Sequence, residues 1–110
     1  MGLGNTMNGP PANWQNPVTV GAGQTQSSVD PCMLLPSRLD LVRTRLELQR
    51  QLIRLGQSRW TPILVTPAGI VYDGHHAVRA AAEEGVLIEI RIVDHPLTPS
   101  ASSILALPVR

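Results

Sequence analysis

Thr61-Pro62-Ile63-Leu64-Val65-Thr66-Pro67-Ala68-Gly69-Ile70-Val71-Tyr72-Asp73-Gly74-His75-His76-Ala77-Val78-Arg79-Ala80-Ala81-Ala82-Glu83-Glu84-Gly85 is the stretch on which the fold turns. Thr61–Val65 is a short, β-branched-rich run and reads as a strand. Pro67 followed two residues later by Gly69 suits a tight turn, and Ile70–Tyr72 reads as a second strand. Asp73-Gly74 ends that strand and opens a helix over His75–Glu84, with Asp73 in a preferred capping position. Val78, Ala81 and Ala82 form a small apolar face that lets this helix lie close to a sheet. Strand, turn, strand and helix in this order imply an α+β domain with a mixed, short-stranded sheet packed with helices.

Outward from this centre, Val86–Val93 alternates Val86, Ile88, Ile90 and Ile92 with Leu87, Glu89 and Arg91, the pattern of a half-exposed strand. Upstream, the spacing predicts a helix over Arg38–Leu55, capped by Ser37 and ended by Gly56 in a left-handed conformation. Leu39, Val42, Leu46 and Ile53 lie on one face of that helix. Leu41, Leu48, Leu52 and Leu55 lie nearly opposite. The second stripe calls for a cover: a second protomer (a homodimer), a parent chain, or the arm Val29–Ser37, which reads as an edge strand or extended segment because of Pro31 and Pro36. The alternative is a helix that breaks near Thr44, turning both stripes into one core face.

Residues 1–28 hold no Asp, Glu, Lys or Arg and carry two turn-prone clusters, so they read as a flexible leader with Trp14 as a lone exposed aromatic. The domain is then 29–96, and 97–110 is a Pro/Ser-rich tail with one apolar patch, Ile104–Leu107. Setting the leader aside leaves about 80 residues, too few for a large cofactor pocket between two lobes.

A net charge of +1 with 15% charged residues argues against a histone-like tail or a polybasic membrane anchor, so any nucleic-acid binding must be local. No run is long and apolar enough to span a membrane. The start of the chain does not read as a Sec signal peptide, so the expected location is cytoplasmic or, after delivery by another machine, a target cell. Cys32 has no partner for a disulfide or a CxxC zinc site, and Asp30 beside it disfavours a reactive thiolate. All nine basic residues are arginines.

Chemistry concentrates in Asp73-Gly74-His75-His76-x-x-Arg79. A helix starting at His75 offers unpaired amide donors and the positive end of its dipole, and Gly74 removes the Cβ that would keep an anion away. His75, His76 and Arg79 project from the face opposite Val78, Ala81 and Ala82. The phosphate-binding set is therefore Gly74, His75 and Arg79, and the catalytic set is His75, His76 and Asp73. Duller roles stand beside these: capping for Asp73, surface histidines for His75 and His76, and an ion pair with Glu83 for Arg79. Adjacent histidines point about 100° apart, and neither His-x-x-x-His nor Cys-x-x-Cys occurs, so metal ligands are not assigned.

The run Leu52-x3-Gly56-x5-Pro62-Ile63-Leu64-Val65-Thr66-x2-Gly69-x3-Asp73-Gly74-His75-His76-x2-Arg79-Ala80-Ala81-x3-Gly85 resembles the ParB/sulfiredoxin superfamily, including ParB-like nuclease domains, over roughly residues 29 to 93. The resemblance implies a box at a helix start that binds nucleotide or nucleic-acid phosphate, with Gly74 as its first glycine, His75 and His76 following, and Arg79 downstream. Ala77 departs from the family's usual arginine. Sulfiredoxin activity is not expected, because its catalytic cysteine would fall at His75. The stretch from Asp73 to Ala82, behind a charge-free leader, is also similar to C-terminal domains of bacterial polymorphic toxins. The resemblance thus implies a nuclease hydrolysing phosphodiesters, with DNA as substrate, His75 or His76 as base or acid, a divalent metal ion as candidate cofactor, and an immunity protein as a partner if the chain is a toxin. The alternative is a non-catalytic module that binds nucleotide or DNA phosphate.

Overall fold

The structure, a computed structural model, describes residues 13–57 and 62–110. The architecture is α+β. In chain order come β1 (Thr25–Val29), a 3-10 turn (Pro31–Met33), α1 (Arg43–Arg54), β2 (Ile63–Val65), β3 (Val71–Asp73), α2 (His75–Glu84), β4 (Ile88–Ile92) and a second 3-10 turn (Ile104–Ala106). The four strands form one mixed sheet in the order β1-β4-β2-β3. β2 and β3 pair antiparallel across the expected turn, whereas β2 and β4 run parallel with Ile63 opposite Ile90 and Val65 opposite Ile92. A parallel pair needs a crossover, and β3 with α2 supplies it. Thr61, where the sequence strand begins, lies outside the described residues.

α2 is the centre of the molecule. The sequence offers one small apolar face, yet His75, His76, Ala77, Val78, Ala80 and Ala81 are all buried. The helix touches α1, both 3-10 turns and β2, so it is enclosed from several sides. Its alanines make this possible, since short side chains let neighbouring backbones approach. Val78 joins Ile63, Val65, Val71, Ile90 and Ile92 in the apolar core. β4 keeps the expected alternation, with Ile90 and Ile92 buried and Glu89 and Arg91 exposed.

Three sequence expectations are corrected. The leader was expected to be flexible through residue 28, but from residue 13 onward it is part of the fold. β1 adds to β4 in antiparallel register, Trp14 Nε1 donates to the Met33 carbonyl at 2.7 Å, and Asn16 Nδ2 donates to the Pro67 carbonyl at 2.8 Å. Backbone pairing, uncharged polar side chains and the packing of Val18 and Val20 on the core give this segment its hold. The Asn16 contact also explains Gly69: its φ is +84°, and a Cβ there would stand 2.6 Å from Asn16 Oδ1. Residues 1–12 lie outside the described residues.

The second correction concerns α1. It begins at Arg43, five residues later than expected, because residues 41–43 pair with the C-terminal segment. Leu41 N–H donates to the Pro108 carbonyl at 2.9 Å, Arg110 N–H to the Leu41 carbonyl at 2.8 Å, and Arg43 N–H to the Arg110 carbonyl at 2.7 Å. Ser37 does not cap the helix. Its hydroxyl donates to the Val71 carbonyl at 2.6 Å, and Val42 stands at the N-cap with no side-chain cap. The stripes are redistributed accordingly: Leu41 is fully buried and Leu39 is 80% exposed, the reverse of their expected faces. Of the second stripe, Leu48 and Leu55 remain exposed while Leu52 is half-buried. The alternative of a break near Thr44 that merges both stripes into one core face does not hold either, since α1 is continuous from Arg43 and Leu39, Leu48 and Leu55 are exposed, but Leu41 belongs to the core rather than to an interface.

The third correction is the tail. Ile104 and Leu107 are buried, Ser103 caps the second 3-10 turn by accepting from Leu105 N–H at 3.1 Å, and Leu41 bridges Val109. The C-terminal segment is thus a wall of the domain. Among the described residues no helix is long and apolar enough to cross a membrane.

Truncating a buried leucine removes transfer energy and leaves a cavity. Leu41→Ala is therefore expected to lower unfolding free energy by about 3 kcal/mol and Leu39→Ala by less than about 0.5 kcal/mol, read from urea unfolding curves. Equal effects would contradict the late start of α1.

Candidate functional site

The junction between β3 and α2 carries the sequence motif and is the floor of a pocket of about 320 Å³. Asp73, Gly74, His75, His76 and Ala77 line it from the junction, Arg45, Leu48 and Gln49 from α1, and Arg38 from the arm. Gly74 sits at the N-cap of α2 in the left-handed region, φ +101° and ψ +24°, which a side chain would resist. No side chain caps the helix, and the first intrahelical bond runs from Val78 N–H to the Gly74 carbonyl at 3.0 Å. Gly74 offers no side-chain acceptor to the first turn, and the dipole's positive end faces the pocket. Asp73, expected as the cap, is instead the last residue of β3 and stands at the pocket wall.

The two histidines are buried, His75 to 4% exposure and His76 to 9%. Each ring accepts a backbone hydrogen bond from the arm. Ser37 N–H donates to His75 Nε2 at 2.9 Å, and Val42 N–H donates to His76 Nε2 at 3.0 Å. Two imidazoles thus satisfy two amides of a segment that has no ladder partner on that side, and they pin residues 37–42 over the start of α2. Ser37 Oγ is also 3.3 Å from His75 Nε2. This is no nucleophile pair, because the hydroxyl proton is given to Val71.

Burial pushes the His75 pKa down to about 4, with Arg38 and His76 adding charge repulsion against a favourable contribution from Asp73. The ring is neutral at pH 7 and stays so well into the acid range. With its ε nitrogen occupied, it is poorly placed to act as a general base. The catalytic set of the sequence reading is therefore brought to one pocket, but two of its members are fixed as hydrogen-bond acceptors.

Arg79 is not brought there. Its Nε donates to Glu83 at 2.7 Å, and Nη1 reaches the Leu107 and Ile104 carbonyls at 2.9 and 3.3 Å. It fastens the C-terminal wall to α2, beside a chain of ion pairs in which Arg50 bridges Glu47 and Glu83. Arg50 and Arg79 together hold the Glu83 carboxyl below the usual carboxylate range. The cations that do face the pocket are Arg38 and Arg45, which sequence reasoning missed. They precede the motif by more than 25 residues, and only the packing of residues 37–42 and of α1 against α2 brings them to it. Arg38 Nε is anchored on the Asp40 carbonyl at 3.1 Å.

The donor set does not fit a divalent metal ion. Among the described residues no three His, Cys, Asp or Glu side chains group as a metal site, and the ε nitrogens of both histidines face backbone donors. Cys32 is equally unsuited to nucleophilic chemistry, since burial and Asp30 push its thiol pKa up. A larger cavity of about 600 Å³ adjoins the pocket, shares Gln49 and Ala77 with it, and is walled by apolar groups including Leu52, Ile53, Ile63 and Ala81.

No protein-family model and no curated protein matches the chain. It is similar to the solved structure of protein Atu1540 from Agrobacterium tumefaciens, at 19% identity and a TM-score of 0.46 over 66% of this chain. The chain spans 41% of that protein's length.

The depressed pKa makes stability pH-dependent with a definite sign. An unfolded His75, titrating near 6.5, takes up its proton before the folded one, so its contribution is whole above about pH 6.5 and declines as pH falls toward 4. Between pH 7 and pH 5 the loss is expected to be about 2 kcal/mol. His75→Gln should remove most of that slope in urea unfolding series. An unchanged slope would place the titration elsewhere.

Proposed function

We propose that the chain is a ParB/sulfiredoxin-like module that binds the phosphate of a nucleotide or nucleic acid at the start of α2. The observation that carries this reading is the pairing of an uncapped helix start behind Gly74 with Arg38 and Arg45 across one pocket. Backbone amides and a helix dipole favour an anion, and two guanidiniums supply the charge that Ala77 does not. The adjoining cavity, apolar at Leu52, Ile53 and Ile63 and polar at Gln57, Glu89 and Arg91, gives an organic group on the phosphate somewhere to lie. Binding without turnover is favoured over chemistry because both histidines are committed to holding the arm.

The second reading is a ParB-like nuclease that hydrolyses DNA phosphodiesters. One observation favours it: the Asp73 carboxylate lines the same pocket as the two arginines and is the carboxyl there able to act on a water. Delivery as a toxin domain, with an immunity protein as partner, belongs to this second reading.

Calorimetric titration with inorganic phosphate and with a short single-stranded DNA, at low and high salt, distinguishes them. The expected outcome is salt-dependent binding that falls about tenfold in the double variant Arg38→Gln, Arg45→Gln and is kept in Arg79→Gln. Absence of binding would overturn the proposal. Cleavage of plasmid DNA that is lost in Asp73→Asn would favour the nuclease.

A further inference from the structure

Resting on the phosphate-binding reading, we infer that His75 is a positioning donor for the bound anion: the Ser37 backbone N–H locks its ring in one tautomer, and the Nδ1–H that results points a fixed hydrogen bond into the pocket. A backbone amide can only donate, so His75 Nε2, 2.9 Å from Ser37 N, must be the nitrogen with the lone pair. A neutral imidazole then carries its proton on Nδ1. Among the described residues no protein group pairs with Nδ1. No buried side-chain nitrogen among them is left without a partner either, so Nδ1 is reached by solvent despite the 4% exposure of the residue. The cavity that His75 lines is the pocket at the start of α2.

The consequence is a donor of fixed direction that costs no charge. An imidazolium beside Arg38 would repel it, and a freely rotating hydroxyl would lose entropy on binding; a locked neutral ring does neither. The same lock sets what is recognised. From His75 the ligand meets a donor and no acceptor, so an oxygen of a phosphate ester or of inorganic phosphate fits, and a group that can only donate, such as an ammonium, does not. Besides His75, the titratable and charged groups around the pocket are Arg38, Arg45, Asp73 and His76. His75 itself stays neutral down to about pH 4. The locked neutral donor is therefore in place from about pH 4 upward, where inorganic phosphate is an anion.

Two variants separate the two nitrogens. His75→Gln can return an acceptor to Ser37 N–H while deleting the Nδ1 donor, and His75→Asn can restore a donor near Nδ1 while leaving Ser37 N–H unpaired. The expected result is that His75→Gln folds and binds inorganic phosphate about tenfold more weakly, whereas His75→Asn recovers much of that affinity and is the less stable of the two. In the wild-type chain, long-range 15N NMR of the imidazole should show Nδ1 protonated and its resonance moving on addition of inorganic phosphate. Protonation on Nε2, or an undiminished affinity in His75→Gln, would overturn the inference while leaving phosphate binding itself standing. A wild-type chain that binds no phosphate would overturn both.

Discussion

Two backbone amides that no strand or helix satisfies, Ser37 N–H and Val42 N–H, are taken up by the ring nitrogens of two adjacent buried histidines, and most of the site depends on that exchange. Left unpaired in a dry interior, either amide would cost about 1 to 3 kcal/mol. Paired, they bind the six-residue segment 37–42 to the first turn of the most buried helix. The segment carries Arg38 to the pocket, delays the start of α1 to Arg43, and frees Leu41 to enter the core. The Ser37 hydroxyl on Val71 and the pairing of Leu41 and Arg43 with residues 108–110 hold the same segment from its other sides.

The same constraint limits the chemistry. A histidine that must remain an acceptor at Nε2 must remain neutral, and burial arranges this by lowering the His75 pKa to about 4. What looks in the sequence like a paired acid and base is, in the folded chain, a pair of struts with one spare donor. Anion recognition then falls to groups whose charge or polarity does not change near neutral pH: helix amides, two arginines and a locked imidazole.

The sheet and α2 were legible because their determinants are local. Alternation in Ile88–Ile92, the Pro67–Gly69 turn and the Gly74 break each act within a few residues, and the sequence placed β3, α2 and β4 to within about two residues. Gly74 and His75 were found for the same reason. What could not be read was non-local. Helical spacing over residues 38–55 is a true pattern, but pairing of residues 41–43 with residues 108–110 overrides it, and nothing in either segment announces the other. The ordering of residues 13–28 rests on pairing with β4, on two isolated valines, Val18 and Val20, that reach the core, and on amide side chains such as Asn16 and Gln26, none of which forms a periodic pattern. Arg79 followed the motif's spacing but found nearer partners in Glu83 and the carbonyls of the C-terminal wall. Arg38 and Arg45 had no spacing to give them away.

The most direct test of the central claim is a two-dimensional amide NMR titration of the wild-type chain with inorganic phosphate. If the uncapped start of α2 is the anion site, the amide resonances of His75, His76 and Ala77 shift with a common saturation curve, while those of Glu83 and Glu84 at the other end of the helix stay still. Shifts that cluster away from the first turn of α2, or no saturable shift there, would contradict the account.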